Sequence, residues 1–445
     1  MSSKTATPRA LSSFWHDLPR EGRLLLSVVV FEFIGTGLVL PFHVVYLHEV
    51  RGFDLGDVGL LLGLPPLIGF LIVGPGGSAI DRFGARRILI GALVLQVVSN
   101  TLLAFASSEW AAASALVLSG AAFGVTWPGF QTLIATVVPA DLRQRYFGVN
   151  FTLLNLGIGI GGIVGGMFVD VERVGTFQTI YLADAVSYLP GLFLMTVPLR
   201  HVAGRPEHPH GEARARIGYL EVARRPAVAS LMLLSFVSSY VGYSQLNAGM
   251  PAFARAVGEV STRGLGLAFA ANTLVIVVLQ LFVLQRIEGR RRTRVIAVMG
   301  VIWGGSWMLL GATGLVSGTW GATLIVAAYA SVFALGETLL QPTIPALVNE
   351  LAPDHLRGRY NALNSGAFQL AAIIAPPIAG LMIDHDLGAL YVASLVVGCL
   401  LVGVLAVVRL EPRLSPEVNG VRRRTVDDPA EISSSSSKTI SAATD

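Results

Sequence analysis

Three acids stand inside long apolar runs of this chain. Glu32 lies in Val-Val-Phe-Glu-Phe-Ile-Gly, Glu337 in Ala-Leu-Gly-Glu-Thr-Leu-Leu-Gln-Pro and Asp184 in Leu-Ala-Asp-Ala-Val-Ser-Tyr. An ionised carboxylate in hydrocarbon is costly unless it faces water or a partner. No basic residue is near enough in sequence to pair with Glu32 or Glu337. Each is therefore a candidate proton carrier, protonated in one state and released in another. Its competing role is a hydrogen bond between helices. Asp184 reads equally well as a packing or capping group. Around these acids, His43, Asn155, Gln245, Asn247, Asn272 and Gln369 are polar groups that would line a pocket, with Phe31 and Phe33 flanking Glu32. A pocket with few charges and much apolar surface suits a lipophilic ligand. A sugar site would want more amides and tryptophans.

A second set of charges is packed into one short stretch: Gly77-x-x-x-Asp81-Arg82-x-Gly84-x-Arg86-Arg87. It separates two apolar runs by only a few residues, so it must be a tight hairpin at a membrane face. Asp81 is predicted to meet the start of the eleventh span near Gly358 to Asn361, where a helix N-terminus favours a carboxylate. Arg86 is predicted to reach the inner end of the fourth span, where Asp141 is available. Together these residues would form a conformational latch.

Other chemistry is excluded or weak. The chain has no H-E-x-x-H, P-loop lysine motif, G-x-S-x-G or C-x-x-C, and its single cysteine, Cys399, cannot form an intramolecular disulfide. No nucleotide-binding domain is present, so an ATP-driven pump is not expected, and neither is an enzyme. His201, His208 and His210 are poorly spaced for a metal site and read as part of a solvated loop; no metal and no cofactor is expected.

The elements that must position these residues follow from composition. Of 445 residues, 53% are hydrophobic and 13% charged, against about a quarter charged in soluble domains. Apolar runs of about twenty residues can each cross ~30 Å of hydrocarbon as a helix, and lipid demands that backbone groups pair within the segment. Spans are predicted at 24–48, 58–80, 88–107, 111–137, 146–168, 178–198, 227–252, 262–285, 294–314, 319–347, 358–383 and 387–408. The fold class is thus all-α integral membrane, with twelve transmembrane helices. The first run is too long for a signal-peptide core and is read as a retained span.

Arginine sets the orientation. With both termini cytoplasmic, the outer loops and span ends hold only Arg51, Arg173, Arg255 and Arg263, and the remaining arginines fall inside or in the tails. That is the positive-inside bias. The basic residues are dispersed over short loops, without interleaved aromatics, so nucleic-acid binding is not implied. The predicted organisation is a tail over 1–22, a six-helix bundle over 23–198, a linker over 199–226, a second bundle over 227–408 and a disordered tail over 409–445. Within the linker, Gly218 to Arg225 would form a short amphipathic surface helix.

An internal repeat supports two halves. A shift of 214 residues places Pro128 on Pro342, Pro139 on Pro353, Arg143 on Arg357, Arg145 on Arg359, Tyr146 on Tyr360, Asn150 on Asn364 and Asp170 on Asp384. The hairpin has a degraded echo at Gln285-Arg-Ile-Glu-Gly-Arg-Arg291 at a slightly different shift. The hairpin motif resembles the signature loop between helices 2 and 3 of the major facilitator superfamily, and parallel halves are the arrangement of that superfamily. The Phe-Glu-Phe at Glu32 and the Leu-Gly-Glu at Glu337 resemble acidic sites of its drug–proton antiporters. Gly157 to Gly166 resembles the exporters' antiporter motif, except that Gly162 stands where a proline is expected. The basic residue expected in span 4 is replaced by Ser119, Gly120 and Ala121. The resemblance implies a monomeric exporter of lipophilic drugs or antibiotics in the cell membrane, exchanging them for protons and drawing energy from the proton gradient. The alternatives are nutrient uptake, export of a native metabolite such as a siderophore, or, in another class, a membrane enzyme or receptor.

Overall fold

The computed structural model describes residues 11–202, 204 and 218–421. Among them, twelve helices are long and apolar enough to cross a bilayer. They are α1 (Arg20–Phe42), α2 (Asp57–Phe83), α3 (Ala85–Ala104), α4 (Glu109–Val137), α5 (Ala140–Phe168), α6 (Val174–Thr196), α7 (Pro226–Ala256), α8 (Arg263–Ile287), α9 (Arg292–Val316), α10 (Trp320–Leu351), α11 (Asp354–Asp384) and α12 (Gly388–Arg413). The described residues contain no strand. The turn between α2 and α3 is a single residue. Gly84 adopts φ 91° there, a left-handed conformation that glycine takes without steric cost.

Both halves use one packing plan. In the first, α1 packs on α5 and α6, and α4 on α2 and α3; in the second, α7 packs on α11 and α12, and α10 on α8 and α9. The first half's core has two layers, one with Leu25, Leu89 and Tyr146, the other with Tyr46, Phe177 and Tyr181. The second half has one continuous core, where Trp303 stacks on Phe333 at 4.5 Å between ring centroids. Across the halves, the main pairs are α2 with α11 and α5 with α8. These contacts run from the arginine-rich face to mid-depth. There a Cβ on Gly69 would come 2.9 Å from Gln369 Oε1, and one on Gly159 would come 3.2 Å from Thr273. Toward the opposite ends of the same helices, Gly59, Gly63 and Gly380 face open space.

Two expected tails are shorter than predicted. Residues Leu11–Asp17 form a helix whose Phe14, with the following Leu18, is buried in the first core. Disorder from residue 409 does not hold for 411–421. Glu411 there pairs with Arg291 and accepts from Thr293 Oγ1 at 2.8 Å, while Asn419 Oδ1 accepts from the Thr293 N–H at 3.1 Å. These groups satisfy the open N-terminus of α9, which is why a polar segment orders. Tyr219–Arg224 is a short helix. His208, His210, the serine run 433–437 and the rest of both tails lie outside the described residues.

Candidate functional site

The site is built around a break in α7. Gly242 leaves helical geometry at φ −104°, ψ −104°, and Gln245–Gly249 form a wide π turn before the helix resumes. A side chain at position 242 would run into the Trp303 ring. Glycine thus lets α7 approach α9 and turns Tyr243 edge-on to Trp303 at 5.9 Å and against Phe368 at 5.8 Å. A second break falls in α10, where Gln341 and Pro342 separate Trp320–Leu340 from Thr343–Leu351. Pro342 carries no N–H to continue the ladder.

Between these breaks lies a cavity of about 290 Å³. The first half gives it an apolar wall of Phe123, Trp127, Phe151 and Leu154. The second half gives it a mixed wall, in which Leu340, Ile344, Pro345 and Phe368 stand among Ser238, Tyr243, Gln341, Asn364, Ser365 and Gln369. No charged side chain lines it among the described residues. Ser235 Oγ donates to Asn364 Oδ1 at 2.8 Å, and Gln341 Nε2 donates to the Tyr243 hydroxyl at 2.7 Å. Ser238 Oγ, Ser365 Oγ and Gln369 Oε1 are buried without a hydrogen-bond partner. Buried polar atoms are nearly always paired, so these three are open to bond water or a molecule that enters the cavity.

Glu337 sits one helical turn before Gln341, on the same face of α10. It is 3% exposed, and Asn272 Nδ2 of α8 donates to its Oε2 at 2.6 Å. The Tyr243 hydroxyl approaches the same carboxyl. Glu337 is thus separated from the cavity by one side chain. Glu32 is elsewhere. It is buried inside the first half, close to Asp184 of α6. Ser187 Oγ lies between them: it donates to the Asp184 carbonyl at 2.7 Å, with the Glu32 carbonyl and Asp184 Oδ1 each 3.4 Å away.

Of the predicted cavity residues, only Gln369 lines this cavity. His43 bonds to the Tyr181 hydroxyl at 2.7 Å, and Gln245 Oε1 accepts from Tyr391 at 2.8 Å; both are satisfied inside one half. Asn155 and Asn247 donate to carbonyls one turn back, of Phe151 and Tyr243. Asn272 serves Glu337 rather than the cavity. Phe33 packs at Gly157 of α5, and Phe31 is exposed. The reading of the sequence missed Tyr243, Ser238 and the aromatic wall.

At the arginine-rich face, Asp81 Oδ1 accepts from the Gly358 N–H at 2.6 Å and Oδ2 from the Arg359 N–H at 3.2 Å, with Arg359 Nε 3.7 Å away. Gly77 allows the approach, since a Cβ there would stand 2.8 Å from the Gly358 carbonyl. Arg86 Nε donates to the Met195 carbonyl at 2.6 Å, Arg82 lies over the Phe83 ring, Arg87 follows it in the first turn of α3, and Asp141 stands in the first turn of α5. On the other side of the seam, Arg145 of α5 pairs with Glu288, the residue after α8.

A sequence profile of the Major Facilitator Superfamily matches residues 25–327 and 239–439. The chain belongs to that superfamily. This major facilitator is 26% identical over 381 residues to the quinolone resistance protein NorA of Staphylococcus aureus (strain MRSA252), covering 84% of this chain and 92% of NorA. It is 24% identical over 370 residues to a Na(+), Li(+), K(+)/H(+) antiporter of Planococcus maritimus, covering 76% and 84% of the two chains. A bacterial homologue of the iron transporter ferroportin, solved in an outward-facing state, has the same fold, with a TM-score of 0.72 at 15% identity and coverage of 88% and 100%. The protein is a multi-pass membrane transporter, not an enzyme.

Proposed function

We propose that this major facilitator is a secondary exporter of lipophilic small molecules, exchanging them for protons by alternating access, as a monomer with both termini cytoplasmic. The observation that carries the reading is Glu337: a deeply buried acid one side chain behind a mostly apolar cavity, aromatic on one wall and with polar groups set among apolar ones on the other. Desolvation makes such an acid sensitive to whether its surroundings are wet, which alternating access changes. The similarity to NorA supports a drug or antibiotic as cargo. With the arginine-rich face inside, the contacts of α2 with α11 and α5 with α8 close the cytoplasmic side. The proton gradient would supply the energy, without a cofactor.

A second reading, exchange of a monovalent cation for protons, is favoured by the Planococcus relative and by the proximity of Glu32 and Asp184. One experiment separates them. Purified protein in liposomes is given a dye and quinolone panel, then sodium and potassium, each with and without an imposed pH gradient. Gradient-driven movement of the aromatic compounds is the expected result, and Glu337→Gln should abolish it. Movement of alkali cations alone would replace the exporter reading with the second one, and movement of aromatic compounds with no response to the gradient would leave a uniporter.

A further inference from the structure

The Tyr243 hydroxyl occupies an unusual place. It lines the cavity, accepts from Gln341 Nε2 at 2.7 Å and approaches the Glu337 carboxyl. Its ring is held by Trp303 and Phe368, so the oxygen cannot wander. We infer that Tyr243 is a proton-controlled hydrogen-bond switch: the state of Glu337 decides whether the cavity wall offers a ligand an acceptor or a donor.

The logic is the inventory of a hydroxyl, one donor and two acceptor sites. Gln341 occupies one acceptor site in either state. When Glu337 is ionised, its Oε2 accepts from Asn272 and its other oxygen takes the Tyr243 proton. The second lone pair of Tyr243 then faces the cavity and accepts from a ligand N–H or O–H. When Glu337 is protonated, its own O–H donates to Tyr243, and the hydroxyl proton turns into the cavity. A ligand donor now meets a donor. No covalent bond changes, and the only proton gained is the one on Glu337. The groups that meet Glu337 are Asn272 from α8 and Tyr243 from α7, with the Tyr329 hydroxyl farther off on its own helix; no charged side chain acts on it among the described residues.

Substrate class follows. Ser238, Ser365 and Gln369, 2%, 5% and 4% exposed, leave unmet polar atoms on the same wall as Tyr243. The cargo is then an aromatic molecule with a donor on one edge, its flat face against Phe123, Trp127 and Phe151. Protonation would release it without any ion pair, so an uncharged cargo can be exchanged for a proton. This substrate assignment rests on the exporter reading; the switch itself does not.

The test uses two uncharged probes that do not titrate, carbazole with its N–H and N-methylcarbazole without it, bound to the purified protein across a pH series. Carbazole affinity should fall on acidification by roughly 3- to 10-fold, the worth of one net hydrogen bond, while N-methylcarbazole stays level. Tyr243→Phe keeps both ring contacts and should make carbazole level too. A Tyr243→Phe protein with the wild-type pH response overturns the switch. Infrared difference spectra give a readout that needs no ligand. The protonated Glu337 carboxyl stretch, assigned by its loss in Glu337→Gln, should shift in Tyr243→Phe, and an unmoved band overturns the switch. If neither probe binds while the band does shift, it is the lipophilic-substrate reading that fails.

Discussion

The two deep acids that read alike in sequence do different work in space. Glu337 stands one side chain from the cavity and is held by Asn272 Nδ2 at 2.6 Å; Glu32 is enclosed with Asp184 and Ser187 inside the first half. A ligand in the cavity can feel the state of Glu337 but not directly that of Glu32. Glu337→Gln should therefore change the pH dependence of ligand binding. Glu32→Gln should leave equilibrium binding within about twofold, well under one hydrogen bond's worth, yet slow gradient-driven transport. Binding and transport measured on the same preparations check this, and a pH-insensitive affinity in Glu32→Gln would contradict it. The acids were legible because a charge in an apolar run stands out. The cavity was not. Trp127, Phe151 and Tyr243 are the residue types that fill any helical core, and only packing shows which of them face a void. The reverse error has the same cause: His43, Gln245 and Asn272 look like pocket polar groups, but each finds its partner within a half.

At the level of elements, close approach is set by glycines at helical spacing. Gly157, Gly161 and Gly165 recur every fourth residue along α5 and press on α1, with Val30 and Leu38 carbonyls 2.8 Å from where the Cβ atoms of Gly157 and Gly165 would lie. Gly161 is tighter still against Ile34. In lipid such backbone contact replaces the hydrophobic drive that associates helices in water. Gly161→Val should force α1 from α5 and destabilise the first half by roughly 1–3 kcal/mol, seen as a lower thermal midpoint in detergent. At Gly162, where the exporter pattern has proline, a Cβ would lie 3.8 Å from the nearest atom of α1, the Gly37 carbonyl oxygen, which makes it the more tolerant position. Gly162→Ala should leave the midpoint unchanged. Equal loss in both variants would show that the spacing is incidental. Twelve spans and their short connections were readable from hydropathy alone. The break at Gly242 was not, since one glycine among 49 carries no mark of which one lacks a helical neighbour.

At the scale of the molecule, the two seams are related by the internal repeat. Arg145 and Arg359 occupy equivalent positions, and each reaches an acid at the end of the partner helix: Arg145 to Glu288 after α8, Arg359 to Asp81 in the last turn of α2. The contacts are equivalent in place but not in chemistry. Asp81 also accepts two backbone N–H groups at the start of α11, whereas Glu288 takes both bonds from the Arg145 guanidinium. Both hold the halves together at the arginine-rich face, so both favour the state in which the opposite face opens. Asp81→Asn replaces an acceptor with an amide N–H that opposes a backbone donor, and Glu288→Gln removes the charge from a bidentate pair. Each should shift the population toward the state open at the arginine-rich face. Because the seams share no side chain, the shifts should add in free energy. Spin-label distances across each face in single and double variants measure this. The expected pattern is longer distances at the arginine-rich face, shorter ones opposite, and a double variant displaced by the sum. Unchanged distances in Asp81→Asn, with normal transport, would reduce that residue to a topology signal. A double variant no different from either single would mean that the halves hinge on one seam only.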